Sequence, residues 1–234
     1  MDQPIPNPAQ AAYDDARQFA LEGSYDKALE RHLWFHEHAL EHEPSFCGVR
    51  LSFALGAWME LGRKYPPALA ALWAVRDRDS SKLYAGDPSD QLFHDVVALN
   101  RTLDYESATF AMFGHFEETD PTLATRRFRF LIDQAFEIAP ALFMKYVDDL
   151  EAYFEAICET HVRMNQTFQQ SMSRYREANP DFLAARKTAF ERFDQAFLDT
   201  GTKLVDMAMS KGQCGVASRI SDRAAAVQHE VRAL

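Results

Sequence analysis

The chain has 234 residues and little of what marks several large protein classes. Its three cysteines, Cys47, Cys158 and Cys214, are odd in number and far apart. That pattern fits neither a disulfide framework nor paired Cys-x-x-Cys zinc knuckles, so a reducing, cytoplasmic setting is expected. Long apolar runs are missing: the longest, Ala68 to Val75, is far below the roughly 20 residues that a membrane-spanning helix needs. No basic start followed by an apolar stretch opens the chain, so no secretory leader is expected. Positive charge is short, with 25 Lys and Arg against 35 Asp and Glu, a net charge of −10. This surface repels phosphates, so neither nucleic acid nor an anionic membrane is expected as a partner. The Gly-x-Ser-x-Gly elbow, the Gly-x-x-x-x-Gly-Lys-Ser/Thr loop and the Gly-x-Gly-x-x-Gly turn are all absent. No catalytic residue, cofactor or metal is therefore assigned, and the chain is not expected to be an enzyme.

What is present points to helix. Hydrophobic residues make up 47% and charged residues 26% of the chain, as in folded proteins. Ala, Leu, Phe, Glu and Arg recur at three- and four-residue intervals with no alternating stretch, so the fold class is all-α. Asn7-Pro8, Asp87-Pro88, Asp120-Pro121 and Asn179-Pro180 each pair a capping side chain with a proline in the first helical position. Gly23, Gly62 and Gly201 read as C-terminal caps, and Pro44 and Pro140 end the helices before them. Helices are expected at 9–22, 25–43, 46–61, 66–77, 88–114, 121–138, 140–178, 181–199, 202–211 and 216–233. Residues 1–8 read as a flexible leader and 9–234 as a single all-helical domain.

Within 140–178, Phe143, Val147, Leu150, Phe154, Ile157, His161, Met164, Phe168, Ser171 and Tyr175 are spaced four, three, four, three, which is a heptad seam. This segment is expected to be one long spine helix. A shorter seam, Val216, Ile220, Val227, Val231 and Leu234, marks the last helix as a lid on the core, or else a dimer or partner helix.

Gly23-Ser24-Tyr25-Asp26-Lys27-Ala28-Leu29-Glu30 recurs in outline as Gly62-Arg63-Lys64-Tyr65-Pro66-Pro67-Ala68-Leu69, and Leu55-Gly56 precedes the second copy. Ala39 to Pro44 and Ala135 to Pro140 both place a small residue five before a helix-stopping proline. Residues 9–140 thereby resemble the tetratricopeptide repeat, and the resemblance implies stacked helix pairs, an α-solenoid, with 141–234 supplying a long helix and a C-terminal helical cap. Ala28 to Ala68 spans 40 residues where that family uses 34, and its peptide-gripping side chains are not carried over.

His32, His36, His38 and His42 form the densest cluster of side chains that can carry chemistry. At 100° per residue His32 and His36 fall on the apolar face, and His38 and His42 fall outside it. His161 interrupts the apolar seam of the spine, either setting its register or meeting His32 or His36 in a shared cavity. His32, His36 and His161 are thus the candidate pocket residues. Asp148, Glu151, Glu155 and Glu159 follow three- and four-residue steps as an acidic ridge, either a solvated face or a seat for a basic partner. Phe128, within Arg126-Arg127-Phe128-Arg129-Phe130, is expected in the core with the arginines bordering it.

Charge is uneven: residues 1–45 hold nine acids and three bases, whereas residues 200–234 hold three acids and five bases. The expected function is a non-enzymatic helical-repeat module that binds a protein partner, a basic one fitting the acidic excess, as an adaptor, chaperone or neutraliser. The alternative is a metal- or small-ligand-dependent sensor or enzyme with a histidine-lined pocket. A homodimer zipped through the long helix is a further option.

Overall fold

The computed structural model describes residues 7–174 and 180–233, and every regular element among them is a helix. The chain divides into two compact units, Met1–Asp133 and Gln134–Leu234. Three hairpins follow one another in the first unit. They are α1 (Pro8–Leu21) with α2 (Tyr25–His42), α4 (Phe53–Lys64) with α5 (Pro66–Tyr84), and α6 (Asp90–Thr102) with α7 (Glu106–Thr119). A 3₁₀ turn, Pro44–Phe46, and α3 (Cys47–Arg50) join the first hairpin to the second. Then come α8 (Pro121–Arg127), a 3₁₀ turn at Phe128–Phe130, and the start of α9 (Ile132–Ile138). Such short connections place the two helices of each hairpin side by side and antiparallel.

Local chemistry explains where the hairpins begin and turn. Asn7 caps α1, its side chain accepting the Ala9 N–H at 2.9 Å with Pro8 in the first turn. Residues 1–6 of the expected leader lie outside the described residues. Gly23, at φ +78°, makes the tight turn into α2 in a conformation that other residues avoid. Gly62 is not a cap, as the sequence suggested, but lies inside α4. A Cβ there would come within 3.0 Å of the Leu69 Cβ and 3.1 Å of its Cα, so glycine permits the close approach of α4 and α5. Around this contact Ala28, Leu55, Trp58, Leu61, Ala68, Leu72 and Leu99 form the main core, and Trp58 Nε1 donates to the Ala68 carbonyl at 2.9 Å.

Tyr25, Tyr65 and Tyr105 stand at the three hairpin turns, each 40 residues from the last, and Ala28, Ala68 and Ala108 follow three residues later. The sequence reading found the first two members and missed the third. It ran one helix through 88–114, whereas Asp104, at φ 53°, breaks that stretch between α6 and α7. Asp87 does not cap a helix. Its side chain accepts the Ser89 N–H, and Ser89 caps α6 through the Leu92 N–H at 3.1 Å. Ser52 similarly interrupts the expected helix 46–61, and α5 continues to Tyr84, seven residues past its expected end. Asp120 does cap α8, accepting the Leu123 N–H at 3.0 Å, but the 3₁₀ turn at 128–130 divides the expected helix 121–138.

The second unit contains α10 (Pro140–Tyr146), α11 (Leu150–Arg174), α12 (Pro180–Ser210) and α13 (Cys214–Arg232). The expected spine of 140–178 is broken at Val147, whose backbone is extended, and Asp149 recaps the chain by accepting the Ala152 N–H at 2.9 Å. Tyr175 to Ala178 of that expected helix, the Asn179 cap, and Leu234 of the last seam lie outside the described residues. The buried face of α11 is Leu150, Phe154, Cys158, His161 and Asn165, while Met164 is 47% exposed. Steps of four, four, three and four follow the 3.6-residue period of a straight helix, and they leave the heptad line by Met164. Gly201 is again no cap, since α12 runs through it. A Cβ there would meet the Phe154 ring at 3.3 Å and the Ala224 Cβ at 3.8 Å, where three helices converge. Ala217, Ile220 and Val227 bury one face of α13 against α11 and α12, so the last helix covers this core.

Candidate binding groove

Ala28, His32, Phe35, His36 and Ala39 are the buried face of α2, as the helical period requires. The His32 ring stacks on Trp58 of α4 with centroids 5.9 Å apart, and His36 meets the same indole edge-on at 6.0 Å. Burial lowers the pKa of both imidazoles from 6.5 to about 4, so both are neutral at neutral pH. His32 Nε2 and His36 Nδ1 are buried without a hydrogen-bond partner. His38 and His42 lie outside this face against the half-buried Trp34, His42 stacked on the indole and His38 tilted to it.

Beside His36 lies a charged pair that the sequence reading missed. Arg50 Nε donates to the His36 carbonyl at 2.7 Å, and its two terminal nitrogens donate to the Asp95 carboxylate at 2.7 and 2.5 Å. Both residues are buried, so the fork joins α3 to α6 away from water. One signal was available: Arg50 occupies the same arc of the helical wheel as Ala54, Trp58 and Leu61. Arg127 is a second case. It was expected at the border of the core, but its guanidinium is wholly buried, 4.5 Å from the Phe116 ring centroid and 5.2 Å from that of Phe93. It donates to the carbonyls of Asp87 and Ser89, tying the turn before α6 to α8, while Arg126 and Arg129 bond to Asp90. Phe128 is in the core as expected.

His161 belongs to the second unit and takes its neighbours from α11 and α12. Its ring stacks on Phe197 at 4.1 Å and Phe193 at 5.0 Å, and Nε2 lies 3.2 Å from an Asp194 carboxylate oxygen. Asn165, one turn on, approaches the same nitrogen at 3.2 Å. Burial lowers this pKa too, and Asp194 opposes the shift. Three residues earlier Cys158 is buried and its thiol is pushed up to about 11, far from an activated nucleophile. His32 and His36 thus share one indole in the first unit, and His161 has an aromatic and carboxylate setting of its own in the second. Among the described residues no three His, Cys, Asp or Glu side chains are grouped so as to hold a metal ion.

The acidic ridge is partly engaged by the chain itself. Glu155 receives two hydrogen bonds from Arg223 at 2.7 and 2.8 Å, and Glu151 pairs with Arg219, both arginines belonging to α13. These bonds hold the Glu155 carboxyl below its ordinary pKa. Asp148 precedes α11 and Glu159 lies farther along it, both exposed. The mildly basic C-terminal helix is therefore what covers the centre of the ridge.

Two open concavities of the first unit lie along α4, and another, of about 470 Å³, is lined by Tyr84, Asp87, His115, Thr119 and Arg126 among others. A cleft of about 560 Å³ runs between α4 and α6, lined by Phe53, Ala57, Glu60, Arg63, Arg101 and Thr102 among others. A second, of about 250 Å³, is lined by Arg17 and Leu21 of α1, Tyr25 and His32 of α2, and Ala57, Glu60, Leu61 and Lys64 of α4. No protein-family model, curated protein or solved structure matches this chain. The clefts share Ala57 and Glu60, so they adjoin along the exposed side of α4, and together they are the candidate groove. Leu21, 83% exposed, and Phe53, 72% exposed, stand in it as uncovered apolar side chains. Only His32 of the three candidate pocket histidines lines the groove; sequence reasoning missed Arg17, Phe53 and Lys64, which are solvent-facing and invisible to a search for buried periodicity. Among the described residues no helix is long and apolar enough to cross a membrane.

Proposed function

We propose that the first unit is a non-enzymatic helical-repeat module, similar to tetratricopeptide arrays, that binds a segment of another protein in the groove along α4. The observation carrying this reading is the pair of adjoining clefts with Leu21 and Phe53 exposed inside them. Large apolar side chains left this exposed beside concave surface favour a site that a partner covers. The 40-residue recurrence of Tyr and Ala at the hairpin turns supports the repeat reading, since each pair can bury its remaining face only on its neighbour.

Charge refines the expected partner. The groove is rimmed by Arg17, Arg63, Lys64 and Arg101 against one acid, Glu60, which pairs with Arg63. Glu151 and Glu155, which had suggested a basic partner, are taken by Arg219 and Arg223. The groove suits a segment with apolar anchors flanked by acidic residues, even though the chain as a whole is acidic. A cytoplasmic setting belongs to the same proposal, since Cys47, Cys158 and Cys214 are all free.

Affinity purification of the full chain from its native source, beside a Leu21→Asp/Phe53→Asp variant, tests this reading. A stoichiometric protein recovered with the parent and lost from the variant is expected. Equal recovery with both would place the interaction elsewhere.

A further inference from the structure

The smaller cleft differs from the rest of the groove in how its polar groups are left. Arg17, on α1, and Lys64, the last residue of α4, stand at its rim, both exposed. Among the described residues neither has an acid within ion-pair distance, whereas Arg31 reaches Asp15 and Arg63 pairs with Glu60. The lining between the two cations is mostly apolar, made by Ala20, Leu21, Ala57 and Leu61. His32 also lines it. This side chain is 3% exposed, is held rigid by its stack on Trp58, and has an Nε2 without a partner in the protein.

We propose that this cleft binds a small monocarboxylate with an apolar body, its carboxylate between Arg17 and Lys64 and its body against Ala57, Leu61 and the His32 edge. Each part of the ligand answers a part of the lining. Two cations without an acid partner call for an anion, Arg17 otherwise resting only over the Tyr13 ring at 5.6 Å. Apolar walls with Glu60 nearby favour a single negative charge over a phosphate dianion, which would meet a like charge at close range. At neutral pH the buried imidazole is neutral, so the His32 ring adds an uncharged wall beside the ligand's apolar body. The open cleft, about 250 Å³, suits a body of modest size rather than a long lipid chain. This inference does not require that the groove bind a protein, and it stands or falls separately from that reading.

Octanoate is a suitable probe, with octanol as its uncharged counterpart. Titration calorimetry on the full chain at neutral pH is expected to give saturable, one-to-one octanoate binding. Two surface cations acting on one carboxylate give octanoate about a tenfold advantage over octanol. The exposed pair Arg17→Gln/Lys64→Gln should remove that advantage, whereas Arg192→Gln, at an exposed position of the second unit, should leave it intact. In nuclear magnetic resonance spectra the His32 ring protons should shift with octanoate occupancy and His229, in the second unit, should not. Absence of saturable octanoate binding, equal affinity for octanol, or full retention of octanoate affinity in the double variant would each overturn the proposal. None of those results bears on recovery of a protein partner, so the two ideas fail independently.

Discussion

Two glycines inside helices separate what one added methyl group does in two settings. At Gly62 the methyl would press on the Leu69 backbone, which cannot swing aside, so Gly62→Ala should destabilise the protein by about 1–3 kcal/mol. At Gly201 the nearest atoms belong to the Phe154 ring, a side chain that can shift. There the helix-propensity gain of alanine, up to about 1 kcal/mol, offsets the displacement, and Gly201→Ala should stay within about 1 kcal/mol of the parent. Urea unfolding of both variants checks the contrast. The Arg50 fork gives a larger effect: Arg50→Met leaves the buried Asp95 carboxylate without its counter-charge, held only by the Gln91 amide, and should cost about 3–5 kcal/mol, and Arg50→Met/Asp95→Leu should recover much of it. Acid sensitivity follows from the histidines. His32 and His36 have folded pKa values near 4 against 6.5 when unfolded. Between those values the unfolded chain binds more protons, so stability is full above about pH 6.5 and falls as pH drops towards 4. His94 and His161 are shifted the same way and add to the slope. A urea midpoint that stays flat from pH 7 to 4.5, or a slope unchanged by His32→Gln, would contradict this. The inward direction of His32 and His36 was legible because 100° per residue decides it. Their shared indole was not, since Trp58 lies one helix away and periodicity says nothing about which helices meet.

Among the elements, α11 and α13 show where sequence pattern succeeds and where it stops. The three- and four-residue spacing found α11, but a heptad and a straight helical stripe differ by only about 20° per seven residues. The choice between them depends on neighbours that the pattern does not contain. The structure chose the straight stripe, burying Asn165 in place of Met164. The break at Val147 to Asp149 was missed because apolar residues flank it on both sides, while its cause, the Asp149 cap, is local and could have been weighed. For α13, burial and charge compete as explanations of its attachment, and magnitudes decide. Arg219 is 63% and Arg223 35% exposed, so each pair with Glu151 or Glu155 is worth about 0–1 kcal/mol. Ile220 is 1% exposed, and Ile220→Ala should cost about 2–5 kcal/mol. Thermal unfolding should therefore rank Ile220→Ala as far more damaging than Arg219→Gln/Arg223→Gln, with only the arginine variant's small loss diminishing in high salt.

For the molecule as a whole, the all-helical class was legible from composition and spacing, and two of the three hairpin turns from Gly, Tyr and Ala. The third, Tyr105 with Ala108, is equally legible at the 40-residue interval, but a non-glycine residue, Asp104, makes the left-handed turn there and no glycine announces it. The groove was the least legible feature, because its defining residues are mostly exposed and run from Arg17 on α1 to Thr102 on α6. The central claim is that this groove along α4 receives a segment of another protein. A photo-crosslinking amino acid placed at Phe53, with a matched probe at the exposed Met209 of α12, tests it most directly in native extract. The account predicts one stoichiometric protein adduct from position 53, suppressed by Leu21→Asp, and none from position 209. The same adduct from both positions, or no adduct from 53 in a folded protein, would contradict it.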